Sequence, residues 1–395
     1  MLEQQDKDYV IQTYARNYTN FTHGQNATLF DDNAKEYIDF TSGIGVVSVG
    51  HAHPQIVSAI SEQAAKILHI SNLYVIEPQA QLAEALCTHY GKPVKTFFAN
   101  SGAEANEGAI KIARKYGEMQ GQENGLPKKY KIITLAHSFH GRTISALKAT
   151  GQPSMHNYFG PFPDGFTYAD NIESVEEQID DHTVAVMIEL VQGEGGVEAL
   201  NKAKVQALAT MLKNRNILLI VDEVQTGVYR SGAFTASQAY GIEPDVITLA
   251  KGLGGGVPIG AIMTPLDVLK TGEHGSTFGG NYLVTKTALT VLDILDKEQK
   301  SGALKDRTDY FSAKLQTFFD AHHDIFEKYV GVGLMRGLRV KDAETLAKII
   351  PAAHEKGVLV LKAGRNTLRF LPPLTITNEE IDLGFNRLED AISTL

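Results

Sequence analysis

The sequence predicts an α/β protein: a large domain with a mostly parallel central sheet covered by helices, and a smaller α+β domain built from the two termini. Three observations support this fold class. Between residues 94 and 264, short apolar runs alternate with stretches of helical periodicity. The runs show no in–out alternation, which is typical of parallel strands covered on both faces. A chain of 395 residues is also too long for one ordinary core, so we expect two domains.

Six apolar runs form the predicted central sheet. They lie at 94–100, 130–136, 184–191, 216–222, 246–250 and, as a further candidate, 259–264. Helical periodicity is found in four stretches around these runs. The predicted helices are 54–69, 78–90, 102–119 and 203–214. Together these elements predict a large domain over residues 51–284.

The two ends of the chain predict the smaller domain. Residues 1–50 look like an irregular arm with short strands, and a long helical pattern that starts near residue 282 leads away from the sheet. Helices and strands then alternate to the end of the chain. The predicted helices are 301–320, 343–356 and 378–393, and the predicted strands lie at about 328–340 and 358–371. We expect residues 1–50 and 285–395 to fold together.

Composition and charge argue against several classes of function. The net charge of −9 is spread along the chain without blocks, which argues against a nucleic-acid partner. No apolar run approaches the roughly 18 residues that a membrane-spanning helix needs, and the N-terminus MLEQQDKDYVIQ lacks the pattern of a secretory signal. Cys87 is the only cysteine, so an intramolecular disulfide is impossible and a reducing compartment fits. We expect a cytoplasmic protein without membrane or nucleic-acid partners.

Two of the predicted strands end in residues that can perform chemistry. The run 216–222 finishes at Asp222, and the run 246–250 leads into Lys251 and a glycine-rich segment that is neither a dinucleotide fingerprint nor a phosphate loop. Ligands of open α/β sheets bind at the carboxyl ends of the strands. In a partly dry pocket, a lysine has a lowered pKa and can attack a carbonyl carbon to form an imine. The alternative for Lys251 is a solvated side chain before a flexible loop.

Asp222 has the chemistry of a partner for a pyridinium nitrogen. A carboxylate in a low-dielectric site keeps such a nitrogen protonated, and the ring then withdraws electrons from a developing carbanion. Pyridoxal phosphate (PLP) requires this partner together with an imine-forming lysine. In this interpretation Gln225 donates to the phenolic oxygen of the ring, Val224 presses on the ring face, and Glu223 points away in a supporting role. The alternative is a strand that leaves the core and meets water at two carboxylates.

A phosphate needs hydrogen-bond donors, and the segment that starts at Ser101 can supply them. Gly102 and Ala103 lie at the expected N-terminus of a helix, where unpaired amides and the helix dipole favour an anion. The hydroxyl of Ser101 can add a further donor. The alternative is an ordinary capped helix, because Ser101 and Glu104 resemble a capping box.

Six motifs carry a resemblance to a known family. They are NSGAEANE (100–107), SFHGRT (138–143), VQGEGG (191–196), ILLIVDEVQTGVYRSG (217–232), PDVITLAKGLGGGVPIGA (244–261) and GSTFGGN (275–281). With DFTSGIGVVSVGHAHP (39–54) before them and LRFLPPLTIT (368–377) after them, they span most of the chain in this order. Together they resemble the class III aminotransferases, which are PLP enzymes with fold type I of the aspartate aminotransferase superfamily. Within this class the sequence is most similar to the acetylornithine/ornithine aminotransferase group.

The resemblance implies a cofactor site. Lys251 is expected to hold PLP covalently, Asp222 to pair with its ring nitrogen, and Phe139 to stack on its ring. His140 flanks Phe139 as a polar support. The phosphate is expected at Gly102–Ala103.

The resemblance also implies how substrates and a second subunit contribute. Arg142 and Ser276 are expected to contact the amino-acid substrate, and the planar fork of Arg142 suits its carboxylate. Arg369 is the candidate for the second carboxylate of 2-oxoglutarate, with Glu194 as its ion-pair partner. Thr277 is expected to reach the phosphate of the neighbouring subunit's cofactor, so that a homodimer shares its active sites.

The reaction implied is transfer of the δ-amino group of N2-acetyl-L-ornithine to 2-oxoglutarate, in arginine biosynthesis. Alternatives are ornithine, succinylornithine, 4-aminobutyrate or another ω-amine as donor. An aminomutase or decarboxylase would keep the fold and cofactor, and a PLP-binding regulator without turnover is a different class. The complete set of Lys251, Asp222, Arg142 and Arg369 argues against the regulator. The segment HAH (51–53) lacks a third ligand, so no metal is expected.

Overall fold

The structure is a computed structural model that describes residues 1–125 and 127–395, in which twelve helices and seventeen strands are found. The helices are α1 Leu2–Tyr9, α2 Ser42–Gly45, α3 Pro54–Ala64, α4 Glu77–Tyr90, α5 Gly102–Asn124, α6 Ile144–Ala149, α7 Lys202–Asn214, α8 Ala236–Tyr240, α9 Tyr282–Ser301, α10 Ala303–Ala321, α11 Ala343–Glu355 and α12 Asn378–Ile392. The strands are β1 Phe21–Gln25, β2 Thr28–Asp31, β3 Glu36–Asp39, β4 Lys95–Ala99, β5 Lys131–Leu135, β6 Phe166–Ala169, β7 Thr183–Ile188, β8 Val191–Gln192, β9 Glu198–Ala199, β10 Leu218–Asp222, β11 Val246–Leu249, β12 Gly260–Thr264, β13 Phe326–Val332, β14 Met335–Val340, β15 Val358–Leu359, β16 Leu361–Ala363 and β17 Thr367–Phe370. None of the helices in these two ranges is long and apolar enough to cross a lipid bilayer.

A seven-stranded sheet forms the centre of the molecule, in the order β4-β12-β11-β10-β7-β5-β6. Six strands run in the same direction, and β12 is antiparallel to both of its neighbours. Every residue of β7, β10 and β11 is buried, because α5 packs on one part of the sheet and α7 on another. The predicted fold class is confirmed, since continuous apolar runs form strands covered on both faces.

Two smaller sheets join the ends of the chain. Strands β13, β14, β17 and β16 form an antiparallel sheet, whereas β1, β2, β3 and β15 form another in which β15 is parallel to β3. The ring of Phe40, which follows β3, lies 5.4 Å from that of Phe311 in α10 and 5.4 Å from that of Phe385 in α12. The N-terminal arm and the last third of the chain therefore share one core. The domain limits 51–284 and 285–395 stay a prediction.

The structure differs from the predicted elements at several points. α3 ends at Ala64 rather than at residue 69, and α5 continues past residue 119 to Asn124. β6 was not predicted, because its four residues mix polar and apolar side chains. α1 lies in the arm that was predicted to be irregular, and it buries no residue.

The aromatic cluster predicts a large cost for removing its central ring. Phe311 is 0% exposed and packs against Phe40, Phe370 and Phe385. Phe311→Ala is therefore expected to lower the free energy of unfolding by about 3–5 kcal/mol, because it removes buried apolar area and leaves a cavity. Urea denaturation measures the change. The control Phe21→Ala, at a ring that is 37% exposed, should cost about 1 kcal/mol or less; equal losses in both variants would contradict the assignment of Phe311 to the core.

Candidate active site

A cavity of about 470 Å³ opens at the carboxyl edge of the central sheet, within the size range of about 300–1,000 Å³ that is usual for small-ligand sites. The N-terminus of α5, the loop after β5 and the ends of β10 and β11 surround it. Its lining contains ten of the predicted site residues, namely Ser101, Gly102, Ala103, Phe139, His140, Arg142, Asp222, Val224, Gln225 and Lys251. One cavity therefore brings together nine of the ten residues predicted for the cofactor, all except Thr277, and one predicted for the substrate.

The Asp222 carboxylate lies at the end of β10, is only 4% exposed and accepts three hydrogen bonds. Oδ2 accepts from Asn106 Nδ2 at 2.7 Å and lies 2.8 Å from His140 Nδ1, and Oδ1 accepts from the Val224 amide at 3.0 Å. Thr248, which is opposite Asp222 in the β10–β11 register, donates to Asn106 Oδ1 at 2.8 Å. Asn106 and Thr248 were not predicted from the sequence, yet they fix one carboxylate in one orientation.

His140 supports the same carboxylate from the loop after β5. Its side chain is fully buried, and its backbone amide donates to Thr150 Oγ1 at 2.9 Å. Because a carboxylate only accepts, Nδ1 of His140 carries the proton that it shares with Asp222. Nε2 is buried without a hydrogen-bond partner in the part of the chain that the structure describes. His140 therefore holds Asp222 rather than facing solvent.

Lys251 lies two residues after Leu249, the last residue of β11, and has an unusual backbone. Its φ is +42°, in the left-handed region that is sparsely populated by side chains other than glycine and that concentrates at functional sites. Its side chain opens onto the cavity but remains surrounded by protein. Burial lowers the pKa of Lys251 below its ordinary value, while the charges of Glu194 and Arg369 act on it in opposite directions. A lysine with a lowered pKa has a larger fraction of its neutral, nucleophilic form.

The N-terminus of α5 faces the cavity. Ser101 is the N-cap, and its Oγ accepts from the Glu104 amide at 3.2 Å. Glu104 folds back onto the Asn100 amide at 2.6 Å, one residue before the position that a capping box requires. A Cβ on Gly102 would lie 2.7 Å from Val224 Cγ1, so glycine is needed for the helix to start this close to the loop after β10. The first amides of this 23-residue helix have no acceptor within the helix and are available to an anion.

Arg369 lies on β17 of the smaller sheet and is 2% exposed. Its Nη1 donates to Glu194 Oε1 at 2.6 Å, to the Gly193 carbonyl at 3.1 Å and to Gln225 Oε1 at 3.3 Å. Burial alone would raise the pKa of Glu194, but the charge and the hydrogen bond of Arg369 lower it below its ordinary value. Gln225 also lines the cavity, so it connects the ion pair with the Lys251 site.

The other predicted substrate residues lie in two places. The guanidinium of Arg142 is over the ring of Phe139, 5.4 Å from its centroid, at the cavity. Ser276 and Thr277 instead line a neighbouring cavity of about 340 Å³. Asn100 borders both cavities and donates to Ser276 Oγ at 3.1 Å. Within one chain, Ser276 and Thr277 are therefore not brought into the Lys251 cavity.

Sequence reasoning missed Glu189, which directly follows β7 and lines the Lys251 cavity. Its carboxylate accepts from the Phe139 amide at 2.8 Å and from the Gly193 amide at 3.3 Å. Burial raises the pKa of Glu189 to about 7, with the charge of His140 opposing the shift and that of Asp222 adding to it. The available signal was the same as for Asp222: a carboxylate at the end of a wholly apolar run.

Glu223 has a different role from its neighbour Asp222. It is 1% exposed and accepts from the amides of Ala236 and Ser237 at 2.8 Å and 2.7 Å, at the start of α8. This matches the expectation that it points away from the ligand side. In the two described ranges, no group of three or more His, Cys, Asp or Glu side chains is arranged to hold a metal ion.

Comparison with known proteins identifies the family. The model of the family "Aminotransferase class-III" matches residues 11–392. The chain belongs to the class III aminotransferases. It is 57% identical over 393 residues to the acetylornithine aminotransferase of Wolinella succinogenes, with 99% of both chains covered. It is 43% identical over 389 residues to the acetylornithine aminotransferase of Aquifex aeolicus, with 97% of this chain and 100% of that protein covered.

Two solved aminotransferase structures have the same fold. The ornithine aminotransferase of Toxoplasma gondii superposes with a TM-score of 0.92 at 31% identity, covering 100% of this chain and 94% of the other, and it holds PLP at partial occupancy at its active site. The N-acetylornithine aminotransferase of Stenotrophomonas maltophilia gives a TM-score of 0.83 at 31% identity, with 100% and 99% covered.

PLP is the cofactor of this class, and the residues of the cavity fit it. An amine with a lowered pKa at Lys251 can react with an aldehyde, and the buried Asp222 carboxylate can pair with a ring nitrogen. The α5 amides can take a phosphate, and Gly102 gives them close access to the site.

The buried lysine predicts a stability effect that depends on pH. In the cofactor-free protein, Lys251→Met is expected to raise the free energy of unfolding at pH 7, because it removes an amine whose pKa folding lowers from its ordinary value of 10.5. At pH values between the lowered pKa of Lys251 in the folded protein and its ordinary pKa, the unfolded chain binds more protons than the folded chain. The stability of the unmodified protein therefore rises with pH in that window. The advantage of Met should therefore shrink as pH approaches 10.5.

Urea denaturation of both cofactor-free proteins at pH 7 and near pH 10 measures this difference. An advantage of the same size at both pH values would show that Lys251 has an unshifted pKa in the folded protein.

Proposed function

We propose that the protein is an acetylornithine aminotransferase, which transfers the δ-amino group of N2-acetyl-L-ornithine to 2-oxoglutarate. The products are glutamate and N-acetylglutamate 5-semialdehyde, and the reaction belongs to arginine biosynthesis. The observation that carries the proposal is the pair of Arg369 and Glu194, joined at 2.6 Å beside the cavity of Lys251 and Asp222. The relatives that carry this enzyme's name support the choice of donor. A cytoplasmic location stays a prediction from the sequence.

The chain's own residues supply positioning and proton transfer. When bound, PLP supplies an electron-poor ring that stabilises negative charge on the reacting carbon. Asp222, oriented by His140 and Asn106, holds the ring nitrogen protonated. Lys251 Nζ takes the proton from the δ-carbon of the donor, a general-base role for which a lowered pKa is suited. Phe139 covers the ring, and the first amides of α5 hold the phosphate.

Two arginines distinguish the substrates. Arg142 offers a bidentate fork to the α-carboxylate of the donor, which leaves the distant amine free to reach the reacting centre. 2-Oxoglutarate carries a second carboxylate, for which Arg369 is the partner. Glu194 neutralises Arg369 while the donor, which has no second carboxylate, is bound. This arrangement lets one site accept both substrates in alternation.

We also propose a homodimer with shared active sites. Thr277 and Ser276 lie outside the cavity of their own chain, and Asn72 Nδ2 donates to the Ser276 carbonyl at 3.0 Å. Around them the surface is strongly apolar, with Leu73 89% exposed and Phe278 60% exposed. A patch of this kind marks a protein–protein contact. In the dimer, Thr277 reaches the phosphate bound by the other subunit.

Ornithine is the second candidate donor. The ornithine aminotransferase of Toxoplasma gondii has nearly the same fold, and an arginine masked by a glutamate serves any ω-amine donor that lacks a second carboxylate. The choice between ornithine and its acetylated form therefore depends on measured specificity.

A panel of amine donors tests the proposed function. With 2-oxoglutarate as acceptor, kcat/KM for acetylornithine is expected to exceed those for ornithine, succinylornithine and 4-aminobutyrate by about tenfold or more, about 1.4 kcal/mol in transition-state free energy. Glutamate formation in a coupled assay measures the rate. Lys251→Ala is the control, and it should abolish turnover. A higher kcat/KM for any other donor would overturn the assignment of acetylornithine.

Glu194→Gln tests the pairing with Arg369. The variant keeps the shape of the side chain but removes the charge that neutralises Arg369, so a bare cation remains while the donor is bound. Single-turnover rates of the two half-reactions should show that the preference for acetylornithine relative to glutamate as donor falls by about tenfold.

Glu198→Gln is a matched control for this change. Glu198 is four residues further along the chain and pairs with Lys328 and Arg339 at 2.6 Å and 2.8 Å, away from Arg369. If Glu194→Gln left the preference unchanged, or if Glu198→Gln altered it equally, the masking role of Glu194 would be wrong.

A further inference from the structure

Glu189 is a buried carboxyl group that the proposed reaction does not use. It follows the last residue of β7 and is only 5% exposed. Its two oxygen atoms face two different loops. Oε1 accepts from the Phe139 amide at 2.8 Å, and Oε2 accepts from the Gly193 amide at 3.3 Å. The side chain therefore bridges backbone segments that are far apart in the sequence.

The two bridged loops carry different parts of the site. The loop after β5 holds Phe139, whose ring lies beneath the guanidinium of Arg142. The loop after β8 holds Gly193, whose carbonyl accepts from Arg369 Nη1 at 3.1 Å, and the next residue is the partner of Arg369. The distance between the loop of Phe139 and the loop of Glu194 thus depends on the side chain of Glu189.

We propose that Glu189 is a positioning residue that holds the loop of Phe139 and the loop of Glu194 at a fixed separation, and thereby keeps Glu194 paired with Arg369 during the donor half-reaction. The first part concerns the fold of the site and is independent of the substrate. The second part rests on the proposed function.

The two hydrogen bonds of the bridge are made by the carboxylate form of Glu189, which predominates above its pKa of about 7. Both of its oxygen atoms accept from backbone N–H groups, whereas an amide has one acceptor oxygen and a donor NH₂ group. In Glu189→Gln the NH₂ group would face one of the two N–H donors, so that one bridge is lost and a buried amide is left unsatisfied. Glu189→Asp keeps the charge, but it is one methylene shorter and cannot span the same gap.

Hydrogen exchange in the cofactor-free protein tests the bridge without any turnover. Exchange followed by mass spectrometry should show that Glu189→Gln raises the rate by about tenfold in at least one of the segments 137–142 and 191–196, with a smaller rise in the other. Glu344→Gln is the matched control at a surface glutamate whose side chain is 79% exposed, and it should leave both segments unchanged. Unchanged exchange in both segments of Glu189→Gln would overturn the proposal.

The donor preference provides the second readout. In Glu189→Gln, the ratio of single-turnover kcat/KM for acetylornithine to that for glutamate should fall by about fivefold or more, because the pair of Glu194 and Arg369 is held less firmly. A merely structural role predicts equal losses for both donors, and that result would overturn the positioning role. If Glu189→Gln does not fold, Glu189→Asp replaces it with the same two readouts and the same overturning outcomes.

The two measurements separate the possible failures. If the unmodified enzyme does not use acetylornithine, the proposed function is wrong, whereas the exchange result still decides whether Glu189 bridges the loops. If the enzyme uses acetylornithine and exchange does not change, only the bridge is wrong.

Discussion

The site depends on one buried carboxylate being held in place. Asp222 accepts from Asn106 in α5, from His140 in the loop after β5 and from the amide of Val224, so three segments converge on two oxygen atoms. A buried carboxylate without such partners costs several kcal/mol, on the order of 3–5. The parallel sheet makes the convergence possible, because β5, β10 and β11 all end at the same edge. Lys251 lies at the same edge, two residues after the end of β11.

The position of Arg369 depends on a contact between the sheet that contains β17 and loops of the large domain. Arg369 comes from β17, yet its partners lie outside that sheet, with Glu194 in the loop between β8 and β9 and Gln225 in the loop after β10. Arg230, in the loop after β10, is 2% exposed and donates to the carbonyls of Leu334 and Pro372, next to strands β14 and β17. Burial lowers the pKa of Arg230 to about 9, so this link uses an arginine whose charged form is disfavoured. The two sheets are thus joined close to Arg369, the residue proposed to bind the second carboxylate of 2-oxoglutarate.

The sequence predicted those features whose signal lies within a single segment of the chain. β10 and β11 were predicted because they are apolar except for Thr248 and the terminal Asp222, and Lys251 because a glycine-rich loop follows it. The direction of β12 was not readable, since its apolar run looks the same in a parallel and in an antiparallel strand. Asn106 and Glu189 were missed because their roles come from partners on other elements. The left-handed turn at Ser42–Gly45 was not predicted either, because Ile44 adopts a φ of +67°, a conformation that β-branched residues disfavour.

Burial acts on the ionisable groups of the cavity according to whether each has a partner. Glu194 has Arg369 at 2.6 Å, and this partner lowers the pKa of Glu194, so its carboxylate remains charged despite its burial. Among the residues that the structure describes, Lys251 and Glu189 have no ion pair of that kind. Burial shifts the pKa of each toward the neutral form, that of Lys251 downward and that of Glu189 to about 7. A neutral amine is the form that attacks an aldehyde carbon. The burial that makes Lys251 costly to the fold therefore also shifts its side chain toward the form that can react with an aldehyde.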